Sequence, residues 1–289
     1  MENNSERKKV TIQTLLKLKS EGKKVSFVTS YDYPTACRAD RAGIDMILIG
    51  DSMGMTVYGY NDTLKMNMDI MIPHADAVSR AVKYAFVVGD MPYMSYQISN
   101  EEAIKNAGKF ISAGCSAVKC EGGVGVAERI KAITGSGILV MGHLGLTPQS
   151  TACFGGYKVQ AKNNETISKL IEDAKALQDA GVFSILLEAV PPEAGKKVCE
   201  ALRIPIYGIG AGPHVDGQLL ICHDLLGSFE GKLAGGVCIP KFAKKYAEIG
   251  KIEEDAFRKY SEEVKDGKFP GDEHCYKMDD QTSICSSRE

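Results

Sequence analysis

Short apolar runs recur along the chain, and several end in an acid followed closely by Gly or Pro. Met46-Ile47-Leu48-Ile49 leads into Gly50-Asp51, Phe86-Val87-Val88 into Gly89-Asp90, and Ala117-Val118 into Lys119-Cys120-Glu121. Ile185-Leu186-Leu187 leads into Glu188. An unbroken apolar run of this length suits a parallel strand buried on both faces, with the acid delivered at its carboxyl end. Further strand-like runs lie at 25–30, 138–142, 205–210 and 219–222. Helical patterns fill the intervals. One spans 33–42 with Gly43 as its stop, and one spans 70–83 with Asp69 as a cap and Pro73 near its start. Another begins at Ser99 or Asn100 and ends near Gly114. Segments 126–133, 167–180 and 192–202 follow, the first closed by Gly135 and the second by Gly181. Segments 53–68 and 143–162 read as irregular.

Eight strands alternating with helices predict an α/β fold, a (β/α)8 TIM barrel. An open doubly wound sheet would usually offer fewer strands and a nucleotide loop after the first. The 289 residues suit one such barrel, expected over 1–277 with added C-terminal helices at 242–249 and 252–264. A polar tail, 278–289, is expected to be disordered.

Charge changes the picture only by exclusion. Lys plus Arg is 35 against 37 for Asp plus Glu, so no basic stripe points to nucleic acid and no polybasic block to a membrane surface. The nine cysteines include no C-x-x-C pair, which excludes a zinc knuckle or thioredoxin-type motif and fits buried thiols in a reducing compartment. Residues 1–9 lack the apolar segment of a signal peptide, and no run reaches membrane-spanning length. The expectation is a cytoplasmic, soluble protein.

Active sites of such barrels sit at the carboxyl ends of the strands, where Asp51, Asp90, Glu121 and Glu188 all fall. Singly, an acid after a strand is as often a helix cap. The coincidence of Asp51, Asp90 and Glu121, with oxygen donors only, favours a hard cation such as Mg²⁺. Lys119 stands two residues before Glu121, so both side chains face one way. Its partner is either Glu121 alone or the carboxylate of a bound acid. Glu188 has apolar neighbours, which suit a general base or a hydrogen-bonded carboxyl. His143, after the fifth strand, either polarises an oxygen or shuttles a proton, or is a buried histidine held by a backbone carbonyl. Gly208-Ile209-Gly210-Ala211-Gly212 is not a G-x-G-x-x-G dinucleotide loop, and tight backbone packing explains it better than phosphate binding. His74, His214, His223 and His274 have no metal-type spacing.

Several strings together resemble the ketopantoate hydroxymethyltransferase family. They include Gly50-Asp51-Ser52-Met53-Gly54-Met55, Lys119-Cys120-Glu121-Gly122-Gly123 and Gly142-His143-Leu144-Gly145-Leu146-Thr147-Pro148-Gln149. Phe154-Gly155-Gly156-Tyr157-Lys158-Val159-Gln160, the Gly208 loop, His223-Asp224 and Pro240-Lys241-Phe242-Ala243-Lys244 extend the match. The resemblance implies a barrel of the phosphoenolpyruvate/pyruvate type. It implies transfer of a hydroxymethyl group from 5,10-methylenetetrahydrofolate to 3-methyl-2-oxobutanoate, giving 2-dehydropantoate on the way to pantothenate and coenzyme A. It further implies Mg²⁺ placed by Asp51, Asp90 and Glu121, a ketoacid held by Asp51, Ser52, Asp90 and Lys119, Glu188 as proton acceptor, and a homodecamer. Lys65-Met66-Asn67, Pro73-His74-Ala75, Gly89 and Ala161 depart from the family's usual residues and bear on the shape around the second helix and the pocket wall. Rival readings are a C–C lyase or mutase on a related oxoacid, or a catalytically silent barrel. The Gly142–Gln149 string and the absence of a Lys-Lys-Cys-Gly-His lid speak against the first, and the intact acids against the second.

Overall fold

The computed structural model describes residues 7–229 and 239–278. Within them, parallel strands close in sequence order into an eight-stranded barrel. They are β1 Val25–Thr29, β2 Met46–Ile49, β3 Phe86–Asp90, β4 Ala117–Glu121, β5 Val140–Gly145, β6 Ser184–Glu188, β7 Ile206–Ile209 and β8 Gly217–Leu220. Pairing of β1 with both β2 and β8 closes the ring.

Strand parity sorts the core into two parts. Odd and even positions of a strand point to opposite faces. Phe27, Met46, Leu48, Phe86, Val88, Ala117, Met141, Leu186, Tyr207 and Leu219 form one buried cluster inside the barrel. Their neighbours of opposite parity, among them Ile47, Val87, Val118, Cys120, Ile185 and Ile206, pack outward in a second cluster. That outer layer meets α2 Tyr33–Arg41, α4 Met68–Ala81, α5 Asn100–Ser112, α6 Ala127–Gly135, α8 Asn164–Asp179 and α9 Pro192–Ala201. The periodic face of α8 is typical: Ile167, Leu170, Ala174 and Leu177 are buried, and Asn163 caps its start.

Several sequence expectations shift. Helix α1 Ile12–Ser20 was not legible; it buries Leu15 alone, too little for an apolar stripe. Helix α4 starts at Met68, because Asn67 rather than Asp69 accepts the capping bond from the Ile70 N–H, so Pro73 lies inside the helix. Strand β5 runs on through His143 to Gly145, since ladders to β4 and β6 override its glycines. The expected loop after it contains the short helix α7 Thr151–Phe154, and α3 Met53–Thr56 interrupts the other irregular stretch. Strand β8 begins at Gly217, and α10 Cys222–Leu226 follows it. In place of two added helices there is one, α11 Ile249–Lys265; no helix covers 242–248. From residue 279 the expected tail lies outside the described residues. Among the described residues no helix is long and apolar enough to cross a membrane. Of the cysteines described, Cys115, Cys120 and Cys222 are buried as expected, whereas Cys153 and Cys275 are exposed.

Candidate active site

The alternation that fills the barrel with apolar side chains places ionisable ones on its last layer. Phe86, Val88 and Asp90 share a parity, as do Ala117, Lys119 and Glu121, Met141 and His143, and Leu186 and Glu188. Register then decides which groups touch. Asp90 stands opposite Lys119 across β3 and β4, and Glu121 opposite His143 across β4 and β5. Lys119 Nζ lies 2.7 Å from Asp90 Oδ1 and 3.4 Å from Glu121 Oε1. His143 Nδ1 is 3.2 Å from Glu121 Oε1, and its Nε2 is 3.2 Å from Glu188 Oε2. A continuous chain of contacts therefore crosses four strands, from Asp90 to Glu188. The primary partner of Lys119 is Asp90, a pairing that sequence reading missed because the two are joined only by register. His143 faces two carboxylates, not the backbone carbonyl that was the alternative.

Asp51, just past β2, joins this group through its backbone N–H, which donates to Asp90 Oδ2 at 3.1 Å. Two further residues brace it. The Gln149 side-chain amide donates to Asp51 Oδ2 at 2.9 Å and to the Met91 carbonyl at 3.0 Å, while its backbone N–H donates to Glu121 Oε2 at 3.0 Å. The Tyr96 hydroxyl accepts from the Glu121 N–H and donates to the Glu121 carbonyl, both at 2.9 Å. Gln149 and Tyr96 are buried and were not singled out from the sequence. Contacts spanning 98 and 25 residues leave no periodic trace.

Electrostatics sets the acids apart. Burial, reinforced by the charges of Asp90 and Glu121, holds the Asp51 carboxyl well above its usual range. Burial also raises Asp90, against the pull of Lys119. Glu121 moves the other way: burial is outweighed by Lys119, His143 and the Gln149 N–H, and its carboxylate stays charged. Lys119 is raised because three acids outweigh the cost of burial. His143 is pushed up to about 9, since contacts with Glu121 and Glu188 overcome burial and the repulsion of Lys119.

These groups line a cleft walled at the side by Ser52, Tyr157, Leu186 and Ile209. The Ser52 hydroxyl is 2.8 Å from that of Tyr31, whose ring stacks on His223 at 5.4 Å. His223 is thus part of the wall's support, and His74 bridges the Tyr31 carbonyl and the Tyr58 hydroxyl. Thr63 also lines the cleft, its buried hydroxyl without a hydrogen-bond partner among the described residues. The Gly208–Gly212 loop holds no acid of this group; Gly210 and Gly212 wall a neighbouring cleft.

Close approach explains two glycines. Gly145 has φ +89°, and a Cβ there would meet the Glu188 carbonyl oxygen at 2.3 Å, so this turn beside Glu188 requires Gly. At Gly89, one residue before Asp90, a Cβ would come within 2.3 Å of the Phe110 ring on α5. The departure at Gly89 is therefore matched by the bulk of Phe110. At Ala161 the backbone is left-handed, with φ +53°, a conformation that favours Gly.

Asp51 and Asp90 suit a hard divalent cation: two adjacent buried carboxylates, both raised by burial, stand next to an open cleft. Among the described residues, no three His, Cys, Asp or Glu side chains form a ready ligand group. Both Glu121 oxygens already have partners in Lys119, His143 and Gln149. Few protein carboxylates, with the remaining positions left to water and substrate, is the arrangement Mg²⁺ favours.

The family model for ketopantoate hydroxymethyltransferase matches residues 9–272. The chain belongs to the ketopantoate hydroxymethyltransferase family. Curated relatives named 3-methyl-2-oxobutanoate hydroxymethyltransferase include those of Caldicellulosiruptor bescii, 50% identical over 93% of this chain and 99% of the relative. The Syntrophobacter fumaroxidans protein is 51% identical over 93% of this chain and 94% of its own. Among solved structures, phosphonopyruvate hydrolase complexed with oxalate and Mg²⁺ matches with TM-score 0.57 and 12% identity, over 91% of this chain and 92% of that one. 2,3-Dimethylmalate lyase, of the PEP mutase/isocitrate lyase superfamily, matches with TM-score 0.56 and 16% identity, over 90% and 89%. The likeness to these solved structures is one of fold, a closed parallel barrel ringed by helices, as expected from the sequence.

Proposed function

We propose that this chain transfers a hydroxymethyl group from 5,10-methylenetetrahydrofolate to 3-methyl-2-oxobutanoate, forming 2-dehydropantoate for pantothenate synthesis. The observation that carries this reading is the buried chain of contacts Asp90–Lys119–Glu121–His143–Glu188, ending in a carboxylate at the open cleft. Asp51 and Asp90, with Glu121 behind them, would hold Mg²⁺, which when bound would supply the positive charge that makes the ketoacid's C3 proton more acidic.

The remaining work falls to side chains. Lys119 and Ser52 steady the ketoacid carboxylate; Lys119 is pre-charged by the three acids around it. Glu188 accepts the C3 proton. His143 Nε2 lies 3.2 Å from the Glu188 carboxylate as a charge contact, and Glu121 holds His143 from the other side, so the imidazole stands beside the base before substrate arrives. The apolar wall of Leu186 and Ile209 keeps water from the carbanion. Water hydrolyses the donor's methylene bridge, breaking both of its C–N bonds and leaving tetrahydrofolate and formaldehyde; the C3 electron pair then adds to the formaldehyde carbon, and the oxygen takes up the proton that left C3 to become the product's hydroxyl.

A cytoplasmic setting and a homodecamer belong to the same reading. The assembly has support in α11, which leaves Ile252, Phe257, Tyr260 and Val264 exposed, as a helix covered by another copy would. The test of function is turnover with a panel of branched 2-oxoacids, with Mg²⁺ and the folate varied separately. Strict dependence on methylenetetrahydrofolate, with 3-methyl-2-oxobutanoate preferred, is the expected result. Cleavage or rearrangement of an oxoacid without folate would favour the lyase reading instead.

A further inference from the structure

Among the described residues, five carboxyls line the cleft over Lys119, and four of them are already engaged. Asp51 and Asp90 suit the cation, Glu121 is bound through both oxygens, and Glu188 faces His143. The fifth, Asp224 on α10, enters none of these contacts. It is 6% exposed, and among the described residues its carboxyl has neither a hydrogen bond nor an ion pair. Nor does it serve as a cap, since the start of α10 receives no side-chain bond.

A carboxyl withdrawn from water without a partner costs free energy, and it lowers that cost by keeping its proton. Burial pushes Asp224 from 3.8 up to about 6. Leu219 and Ile221, on the chain leading into α10, line the same cleft and are apolar. An acid so placed holds a proton near neutrality more often than a surface aspartate and still releases it readily, as a general acid must.

The proposed transfer has need of such an acid. The donor's methylene carbon is bonded to two nitrogens, and neither leaves as an anion; each C–N bond breaks only as its nitrogen gains a proton. The other ionisable groups of the cleft suit this poorly. Glu188 must meet the ketoacid without a proton to act as base. His143 is charged, but its two nitrogens face Glu121 and Glu188. Lys119 is held by Asp90 and Glu121, and Tyr157, raised to about 12, is too weak an acid.

We propose that Asp224 is the general acid that opens the one-carbon donor. Its proton passes to one bridge nitrogen, which keeps the bonding pair as that C–N bond breaks. The lone pair of the second nitrogen forms a C=N⁺ bond to the carbon. Water adds to this carbon and returns a proton to the Asp224 carboxylate. The second C–N bond then breaks, its nitrogen taking the bonding pair and the hydroxyl proton, which leaves tetrahydrofolate and formaldehyde. The assignment rests on the proposed transfer reaction and adds to it the group that releases the carbon; Asp224 has no part in removing the C3 proton.

Asp224→Asn keeps the shape and removes the proton. Because the carboxyl has no partner to lose, the variant should fold as the unaltered protein does. Three rates are compared with Mg²⁺ present: kcat with methylenetetrahydrofolate, product formation from formaldehyde supplied directly without folate, and deuterium exchange at C3 of the ketoacid. The first should fall about a hundredfold or more, while the other two stay within about twofold of the unaltered protein. Folate-dependent turnover that stays within about threefold overturns the assignment and leaves the reaction standing. So does an equal fall in all three rates, which would make Asp224 a support of the whole cleft. A raised folate KM at unchanged kcat overturns it too, since the residue would then bind the donor without opening it. If the unaltered protein forms product from neither donor, the transfer reaction itself is overturned.

Discussion

The barrel interior has two ends, built on the same strand faces and buried to the same degree, yet opposite in purpose. The lower layers hold Phe27, Met46, Phe86, Met141 and Tyr207, which lose water contact and gain neighbours. The mouth holds Asp51, Asp90, Lys119, Glu121 and His143, each at most 4% exposed. There, removal from water costs free energy that ion pairs and hydrogen bonds only partly return. The lower end makes the barrel stable. The upper end keeps charge in a fixed geometry next to an open cleft, and tolerates raised carboxyls at Asp51 and Asp90 as the condition of doing so.

Truncations at the two ends sharpen this contrast. Phe27→Ala and Lys119→Ala should each lower unfolding free energy by about 3–5 kcal/mol, the first by opening a cavity, the second by stranding buried carboxylates. Denaturant titration of metal-free protein at several pH values distinguishes them. The Lys119→Ala loss should shrink in acid as its acids protonate, whereas the Phe27→Ala loss should not follow pH. Equal pH behaviour would erase the distinction between the ends.

The next effect also belongs to the mouth. His143 rises from 6.5 to about 9 on folding, so its protonation stabilises the metal-free protein fully below pH 6.5. That contribution is lost as pH rises through about 9. His143→Gln should remove a pH-dependent part of about 1–3 kcal/mol within that window, read as a flatter dependence of Tm on pH. A variant with an unchanged slope would mean that the imidazole is not held between Glu121 and Glu188.

Smaller effects test the departures from the family pattern. Gly89→Ala should cost about 1–3 kcal/mol through collision with Phe110, and Gly89→Ala/Phe110→Leu should recover most of it. No recovery in the double variant would show that Gly89 is not paired with that ring. Ala161→Gly should raise stability by about 0.5–1 kcal/mol, since relief of the left-handed strain exceeds the added chain entropy. A fall in Tm would contradict this.

Much of the fold was legible because burial on both faces writes strands as unbroken apolar runs, and Asp51, Asp90 and Glu188 stand where those runs stop. Glu121 and Lys119 were legible from their i,i+2 spacing. What the sequence hid was pairing across strands. Asp90 with Lys119, and Glu121 with His143, are neighbours by register, which no local pattern encodes. His143 itself was placed past β5 because Gly142 weakens the strand signal, although the ladder continues through it. Gln149 and Tyr96 were missed for the same reason, being polar braces in loops that report only through distant partners. Helices α1 and α11 escaped or shifted because they bury one residue and none.

The account turns on Glu188 as the group that takes a proton from the ketoacid. Deuterium exchange at C3 of 3-methyl-2-oxobutanoate, followed by proton NMR with Mg²⁺ and no folate, tests it directly. The unaltered protein should exchange the position readily, and Glu188→Gln, which preserves shape and removes the base, should slow exchange at least about a hundredfold. Exchange by Glu188→Gln at the unaltered rate would contradict the assignment.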